Sequence, residues 1–429
     1  CRISVRNYWA FYWPLALTAV GMVLSVQFQN ATLARYPEAV TELAILALSL
    51  GVFSFFNASQ QFIAQLSNVY ARSKQGSRRA WRFVVAASII TTTPLFFLAT
   101  APAGASLIAL IFSIEPAVVE RVREYLLLLC PLIMLNGQRH YFTGLLAQAR
   151  LTGWITVFNF IYLGTVITAL VSGFALGAPP VLVVVGSETF AVCLLIALLL
   201  FAYRYFYSLP ETPEHSDVRY QELVKFFIPV STTGVMFALS RPILFAFVAR
   251  MPDGLLTIAA LRVAFDFSMI FQQAANQFRH FFITFGFTDL RNKIRFMIVI
   301  CGGLTGCMLL FTLTDLADLV WNKSMGLSTE LTGLAIDVTL IMCLMPAIII
   351  YRNYYHGRLM NERKTSGMAY ASIIRVIGIY VAAQILFALQ WLSHTSAAFI
   401  LILGFVIEAY FARRAVYRIE NANKMRKPG

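Results

Sequence analysis

From end to end the chain is built of apolar runs of roughly 20 residues, each long enough to cross a bilayer core of about 30 Å. No polar stretch between them is long enough to fold as a separate soluble domain. Charged residues make up 13% of the sequence, about half of what a soluble domain carries. We therefore expect an all-α polytopic membrane protein with about twelve transmembrane helices. Apolar runs and loop signals place them near 8–34, 38–68, 81–101, 119–148, 152–175, 180–206, 220–250, 254–285, 293–313, 330–358, 368–389 and 396–418.

A net charge of +14 raises the question of nucleic acid, but the distribution of charge argues against such a partner. Basic residues bunch in "ARSKQGSRRAWR" (71–82), "RNKIR" (291–295), "RLMNERK" (358–364) and the C-terminal "RRAVYR" to "KMRK". The intervening loops hold few, chiefly Arg35, Arg121, Arg123, Arg250 and Lys323. This asymmetry is the positive-inside pattern. It implies cytoplasmic termini and basic loops in a plasma membrane, or in an inner membrane if the source is bacterial, where anionic lipid attracts them. Five of the six cysteines, Cys130, Cys193, Cys301, Cys307 and Cys343, fall in expected spans. None forms a C-x-x-C pair, so they read as small apolar packers, with no metal site or disulfide expected. Cys1 reads as the start of a truncated chain, since a span already opens at residue 8.

The most polar connection, "SLPETPEHSDVRYQ" (208–221), divides the chain into halves, and the halves resemble each other. The expected organisation is a six-helix bundle over 1–207, a cytoplasmic linker over 208–221 and a second bundle over 222–429. "RHYFTGLLAQAR" (139–150) and "RNYYHGRLMNER" (352–363) align at an offset of 213, pairing Arg139 with Arg352, Tyr141 with Tyr354, Gly144 with Gly357 and Arg150 with Arg363. "SVQFQNATLARYPE" (25–38) aligns with "SRPILFAFVARMPD" (240–253), and "FFNASQQF" (55–62) with "FQQAANQF" (271–278). Glu188 in "GSETF" stands opposite Glu408 in "VIEAY". Six spans per half give both halves the same orientation, hence a pseudo-two-fold along the membrane normal. That is the parallel-repeat plan of some secondary transporters, with binding near the midplane at the repeat interface.

Five arginines lie well inside expected spans: Arg139, Arg241, Arg279, Arg352 and Arg375. At about 1.5 Å per residue, Arg139 lies roughly 16 Å from Arg150, and Arg352 as far from Arg363. A central arginine costs about 2.5–3.5 kcal/mol to insert, so these side chains must face a bundle interior, a partner or a wet cavity. Glu188, Asp266, Asp337 and Glu408 are the expected buried carboxylates, with Glu42 nearer a span end. Asp266 is expected to pair with Arg262 at i, i+4. That leaves more buried arginines than acids, and a positive interior favours an anionic ligand gripped in bidentate fashion by guanidinium. Neighbouring Gln27, Asn30, Asn57, Gln61, Tyr141, Gln273, Asn276, Gln277 and Tyr354 read either as cavity lining or as interhelical hydrogen-bonders. Glu188, Glu408 and Asp266 read either as coupling groups or as structural partners of the arginines. His140 and His280, each beside a buried arginine, are further titratable candidates.

No phosphate-binding loop, H-E-x-x-H, G-x-S-x-G or dinucleotide fingerprint is present. We expect no enzyme, no cofactor and no bound metal.

The segments "LSRPILFAFVAR" (239–250), "NQFRHFFITF" (276–285), "YRNYYHGRLM" with "RKTSG" (351–367) and "IIRVIGIY" (373–380) resemble the progressive ankylosis protein (ANK) family. So do "YWPLALTAVG" near the start and "GFVIEA" (404–409). The resemblance implies membership of the multidrug/oligosaccharidyl-lipid/polysaccharide flippase superfamily, with a MATE-like fold of two six-helix bundles around a central cleft. It implies export of citrate and other dicarboxylates, ATP or pyrophosphate, and it carries over Arg241, Arg279, Arg352, Arg375 and Glu408 as shared positions. Arg139 is not carried over by it.

The expected function is thus secondary transport of multivalent anions by alternating access, in a monomer, with Arg139 and Arg352 as a symmetry-related clamp. The other arginines contribute, Arg375 at the margin. The alternatives are a flippase for a lipid-linked pyrophosphate and, behind it, an ion-coupled multidrug exporter.

Overall fold

In the computed structural model the described residues are 4–33, 35–37, 39–112, 115–210, 217–248, 250–324 and 328–426. Among them the chain is all-helical. The first half contains α1 (Val5–Leu33), α2 (Ala39–Asn57), α3 (Ile63–Tyr70), α4 (Lys74–Thr100), α5 (Pro102–Phe112), α6 (Pro116–Gln148), α7 (Thr152–Ala175) and α8 (Pro180–Phe206). The second contains α9 (Tyr220–Val248), α10 (Gly254–Asn276), α11 (Phe278–Phe285), α12 (Leu290–Leu313), α13 (Thr329–Met342), α14 (Met345–Asn361), α15 (Ser366–Ala388) and α16 (His394–Arg426). Nine helices among the described residues are long and apolar enough to cross a membrane. Their large apolar side chains point outward, as with Ile298, Leu310 and Leu313 on α12.

Over the described residues the expected spans are helical apart from local breaks, and the internal repeat recurs at the level of elements. The ends of α1 and α9 both lie 215 residues apart, and α6 coincides with the α13–α14 pair at an offset of 213. The stops recur as well. Arg150 and Arg363 leave their helices in the left-handed region at φ 63° and 61°, and Gly177 and Gln390 do so at 72° and 59°. Behind each, a backbone bond reaches back five residues: Leu151 N to Leu146 O and Lys364 N to Leu359 O, both 2.9 Å, and Ala178 N to Gly173 O and Trp391 N to Leu386 O, 3.1 and 2.9 Å. These are Schellman closures, which satisfy the last orphan carbonyls of a helix. Even Cys130 and Cys343 correspond, both buried, with Sγ on the carbonyl four residues earlier.

The second expected span of each half is not continuous. α2 gives way at Asn57 to a short 3-10 turn before α3, and α10 breaks at Gln277 before α11. Both breaks fall in the polar motifs "FFNASQQF" and "FQQAANQF".

The chain divides into two compact units, Trp13–Gly234 and Cys1–Tyr12 with Val235–Gly429. The division runs through α1 and α9, whereas the linker 208–221 lies wholly in the first unit, residues 211–216 of it outside the described ones. In the Trp13–Gly234 unit, α3 lies against α6. Gln148 Nε2 donates to the carbonyls of Asn68 and Ala71 at 3.0 and 3.1 Å, and Ser67 Oγ donates to Tyr141 O at 2.9 Å. Arg121 grips Glu42 with both Nη atoms at 2.6 and 2.8 Å, tying α6 to α2. In the other unit, Lys293 Nζ reaches the carbonyls of Phe285 and Gly286 at 2.9 and 3.1 Å, closing the end of α11. Tyr12 there donates to Ala274 O at 2.7 Å and packs beside Phe278.

Candidate functional site

The unit ending at Gly429 gathers its charges on four helices. α14 presents Arg352, Asn353 and His356, the first and last one helical turn apart on one face. α15 presents Arg375, α16 presents Phe405 and Glu408, and α11 presents Arg279. Arg352, Arg375 and Glu408 are 1%, 0% and 0% exposed. Arg375 Nη1 donates to Glu408 Oε2, and Arg352 Nη1 lies 3.4 Å from Oε1 of the same carboxylate. Arg352 Nη2 donates to Asn276 Oδ1 at 3.0 Å, while Arg279 Nε donates to Asn353 Oδ1 at 2.9 Å. His356 Nε2 lies 3.6 Å from Glu408 Oε1. Three guanidiniums therefore stand in one cluster with a single carboxylate, which two of them contact, in a space where charge is expensive to bury. Aromatic faces absorb part of the excess: Phe405 lies under both Arg352 and Arg375, at 5.5 and 4.7 Å, and Phe237 lies 5.7 Å from Arg375.

The same two rings wall a cavity of about 140 Å³, lined also by Ser240, Arg241, Met269 and Gln272. Arg241 is a quarter exposed there. It donates to Asp266 Oδ1 at 2.8 Å and to Phe265 O at 3.0 Å. Asp266 thus accepts from a helix away, while the expected Arg262–Asp266 pair lies outside the described residues, because the Arg262 side chain does.

The Trp13–Gly234 unit builds a smaller counterpart. Arg139 on α6 directs Nη2 to Met22 Sδ at 2.9 Å and stacks over Tyr162 at 5.2 Å. Tyr162 on α7 donates to Glu188 Oε1, and Gln29 Nε2 donates to Oε2 at 3.3 Å. Tyr162 and Arg375 stand 213 residues apart, the offset that relates Arg139 to Arg352. Each binds the glutamate of its own unit, so one arrangement has been built twice, with tyrosine in one copy where arginine stands in the other.

Of the other sequence candidates, Asn276 joins the arginine cluster, and Gln272 (a neighbour of the candidates rather than one of them) reaches the cavity. Asn57 accepts from Asn136 at 3.3 Å, Gln273 donates to Met269 Sδ at 3.7 Å and Gln277 to Gln273 O at 3.2 Å, each an interhelical or local bond. Tyr141 is buried against Ser77, Tyr354 packs edge-on against Phe282 and Phe287, and Gln61 is exposed. The side chains of Gln27 and Asn30 lie outside the described residues. Asp337 is exposed and pairs with His394 at 3.1 Å. Sequence reasoning missed His356, Asn353, Tyr162 and the two phenylalanines. His356 follows Arg352 by one turn, and Tyr162 is found by extending the repeat offset to Arg375.

Residues 2–199 match the model of the progressive ankylosis protein (ANKH) family. The match bears out the family resemblance, and it falls on the first half, whereas the motifs that suggested it lie chiefly in the second. Solved structures similar to this chain over nearly its whole length are transporters of the MATE and MOP groups. The eukaryotic MATE transporter AtDTX14 superposes with a TM-score of 0.72 at 12% identity, covering 96% of this chain and 95% of its own. A MOP superfamily transporter from Pyrococcus furiosus, described as having a binding pocket of reversed polarity, gives 0.70 at 14% identity, with 99% and 97% covered. A point mutant of the Vibrio cholerae MATE transporter VcmN gives 0.72 at 11% identity, with 97% of each chain covered. The chain is a polytopic helical membrane protein with the MATE transporter fold.

Proposed function

From the progressive ankylosis family match over residues 2–199 and the MATE fold over the whole chain, we propose a secondary transporter that exports multivalent anions by alternating access. Citrate and related dicarboxylates, ATP and pyrophosphate are the substrates in view. The observation that carries the anionic preference is the excess of guanidinium over carboxylate around Glu408. A fixed positive charge behind apolar walls raises the local concentration of anions and repels cations. A similar fold described as having a binding pocket of reversed polarity, that of the Pyrococcus furiosus transporter, supports the reading.

Arg241 is the substrate-contacting arginine in this reading, because it lines the cavity and keeps a quarter of its side chain exposed. Gln272 and Ser240 add hydrogen-bonding groups, while Arg352 and Arg375 act through the faces of Phe405 and Phe237. Arg139 and Glu188 form the corresponding station of the other unit. The basic loops and both termini belong to the cytoplasmic side of a plasma membrane. Outward movement of an anion is then favoured by about 2.3 kcal/mol per charge per 100 mV, so no coupling ion is needed.

The test is uptake of labelled citrate, ATP and pyrophosphate into proteoliposomes, with a lipophilic cation as the opposite-charge control. Accumulation of at least one anion and exclusion of the cation is expected. Uptake of the cation alone would overturn the reading. Failure of every solute, with scrambling of a labelled lipid pyrophosphate, would replace it with the flippase.

A further inference from the structure

The cluster around Glu408 contains donors that the protein does not use. Arg375 spends Nη1 on Glu408, but its Nε and Nη2 are buried with no hydrogen-bond partner. Both ring nitrogens of His356, a residue with no exposed surface, are likewise unpartnered. These two side chains flank the same carboxylate, Arg375 at Oε2 and His356 at Oε1. Arg279, Arg352 and Arg375 all lie within electrostatic reach of the His356 ring. A buried donor left unmade costs about 1–3 kcal/mol, and more when it is charged. The unused donors belong to the two side chains that flank one carboxylate, in a cluster where positive charge already outnumbers negative by three groups to one.

The Trp13–Gly234 unit supplies an internal control. There Arg139 stacks over Tyr162, Tyr162 donates to Glu188, and Tyr162 stands where the other unit has Arg375. Neither Arg139 nor Tyr162 leaves a buried donor atom unpartnered among the described residues. Surplus charge and orphaned donors occur together, in the copy that carries the additional arginine.

We propose that the Arg375–His356–Glu408 cluster holds a resident small inorganic anion, of the chloride class, enclosed within the unit that ends at Gly429. The Nε and Nη2 groups of Arg375 and a ring N–H of His356 donate to it. Phe237 and Phe405 separate it from the cavity that Arg241 lines. A monatomic anion suits the place better than citrate or pyrophosphate, because Arg352, Arg375 and Glu408 are already enclosed and Glu408 occupies one face of both guanidiniums. The proposal concerns a structural ion and holds whichever solute the protein moves.

The experiment is thermal unfolding of the purified full chain in detergent, in sodium gluconate, chloride or bromide at equal ionic strength, with citrate and pyrophosphate as further arms. Chloride and bromide are expected to raise the melting temperature by several degrees over gluconate, and a crystal grown in bromide should show an anomalous peak beside Arg375. Arg375→Tyr, which installs the residue carried by the other half, should fold and should lose the halide effect, as should His356→Phe. Equal melting in gluconate and halide, with no bromide peak, overturns the proposal. So does a halide effect that survives in both variants, and so does stabilisation by citrate or pyrophosphate without any by halide.

Discussion

Glu408 is the one carboxylate that two buried guanidiniums share, so its loss is predicted to be severe. Glu408→Gln leaves Arg352 and Arg375 without their counter-charge and should destabilise by about 3–5 kcal/mol, the range for breaking a buried pair. Glu188→Gln should cost less, about 1–2 kcal/mol, because Tyr162 and Gln29 are neutral donors that can partly re-pair with an amide. Thermal or denaturant unfolding of the two variants in one detergent checks the ranking, and equal losses would contradict the description of the clusters as unlike. At this scale the sequence was informative about which charges are buried and uninformative about how they pair. Arg139, Arg279, Arg352 and Arg375 are all enclosed, as their distance from the span ends implies. Pairing depends on which helix faces meet, and a spacing rule along one helix cannot find the Arg241–Asp266 pair, which joins two.

The elements that set those faces are the broken second spans. α3 and α11 lie so close to α6 and α14 that only glycine fits between them. A Cβ on Gly144 would lie 1.9 Å from Ser67 Oγ and 2.2 Å from Ala64 O, and one on Gly357 would lie 2.8 Å from Phe282 Cβ. Gly144→Ala must therefore displace backbone, and we predict about 1–3 kcal/mol of destabilisation, the usual cost of overpacking. Gly357→Ala meets a side-chain carbon and should cost less; unfolding curves of the pair test the order. Lys293→Met removes the ammonium that closes α11, and amide hydrogen exchange over 283–288 should accelerate while the rest of the chain is unchanged. The pairing of Gly144 with Gly357 was legible from the repeat alone. The breaks beside them were not, because a run of Asn and Gln inside an apolar segment is equally compatible with a continuous helix bonded to its neighbours. Asn57 and Asn276 sit at the two helix ends.

For the whole molecule, fold class and repeat were readable because membrane spans announce themselves by length, and the two halves keep their caps in register. Arg150 with Arg363 and Gly177 with Gln390 show that register in the backbone itself. The cavity was not readable, since Phe237, Ser240, Arg241, Gln272 and Phe405 come together from three helices with no shared motif. In the proposed function buried positive charge selects for anions, and Arg241 is where that charge meets the cavity. The most direct measurement is initial uptake of the transported anion into proteoliposomes by wild type, Arg241→Gln and Arg241→Glu, each matched for melting temperature. At least a tenfold fall is expected for the glutamine variant, which corresponds to about 1.4 kcal/mol, and no detectable uptake for the glutamate variant. Unchanged uptake in the charge-reversed protein would contradict the proposed function.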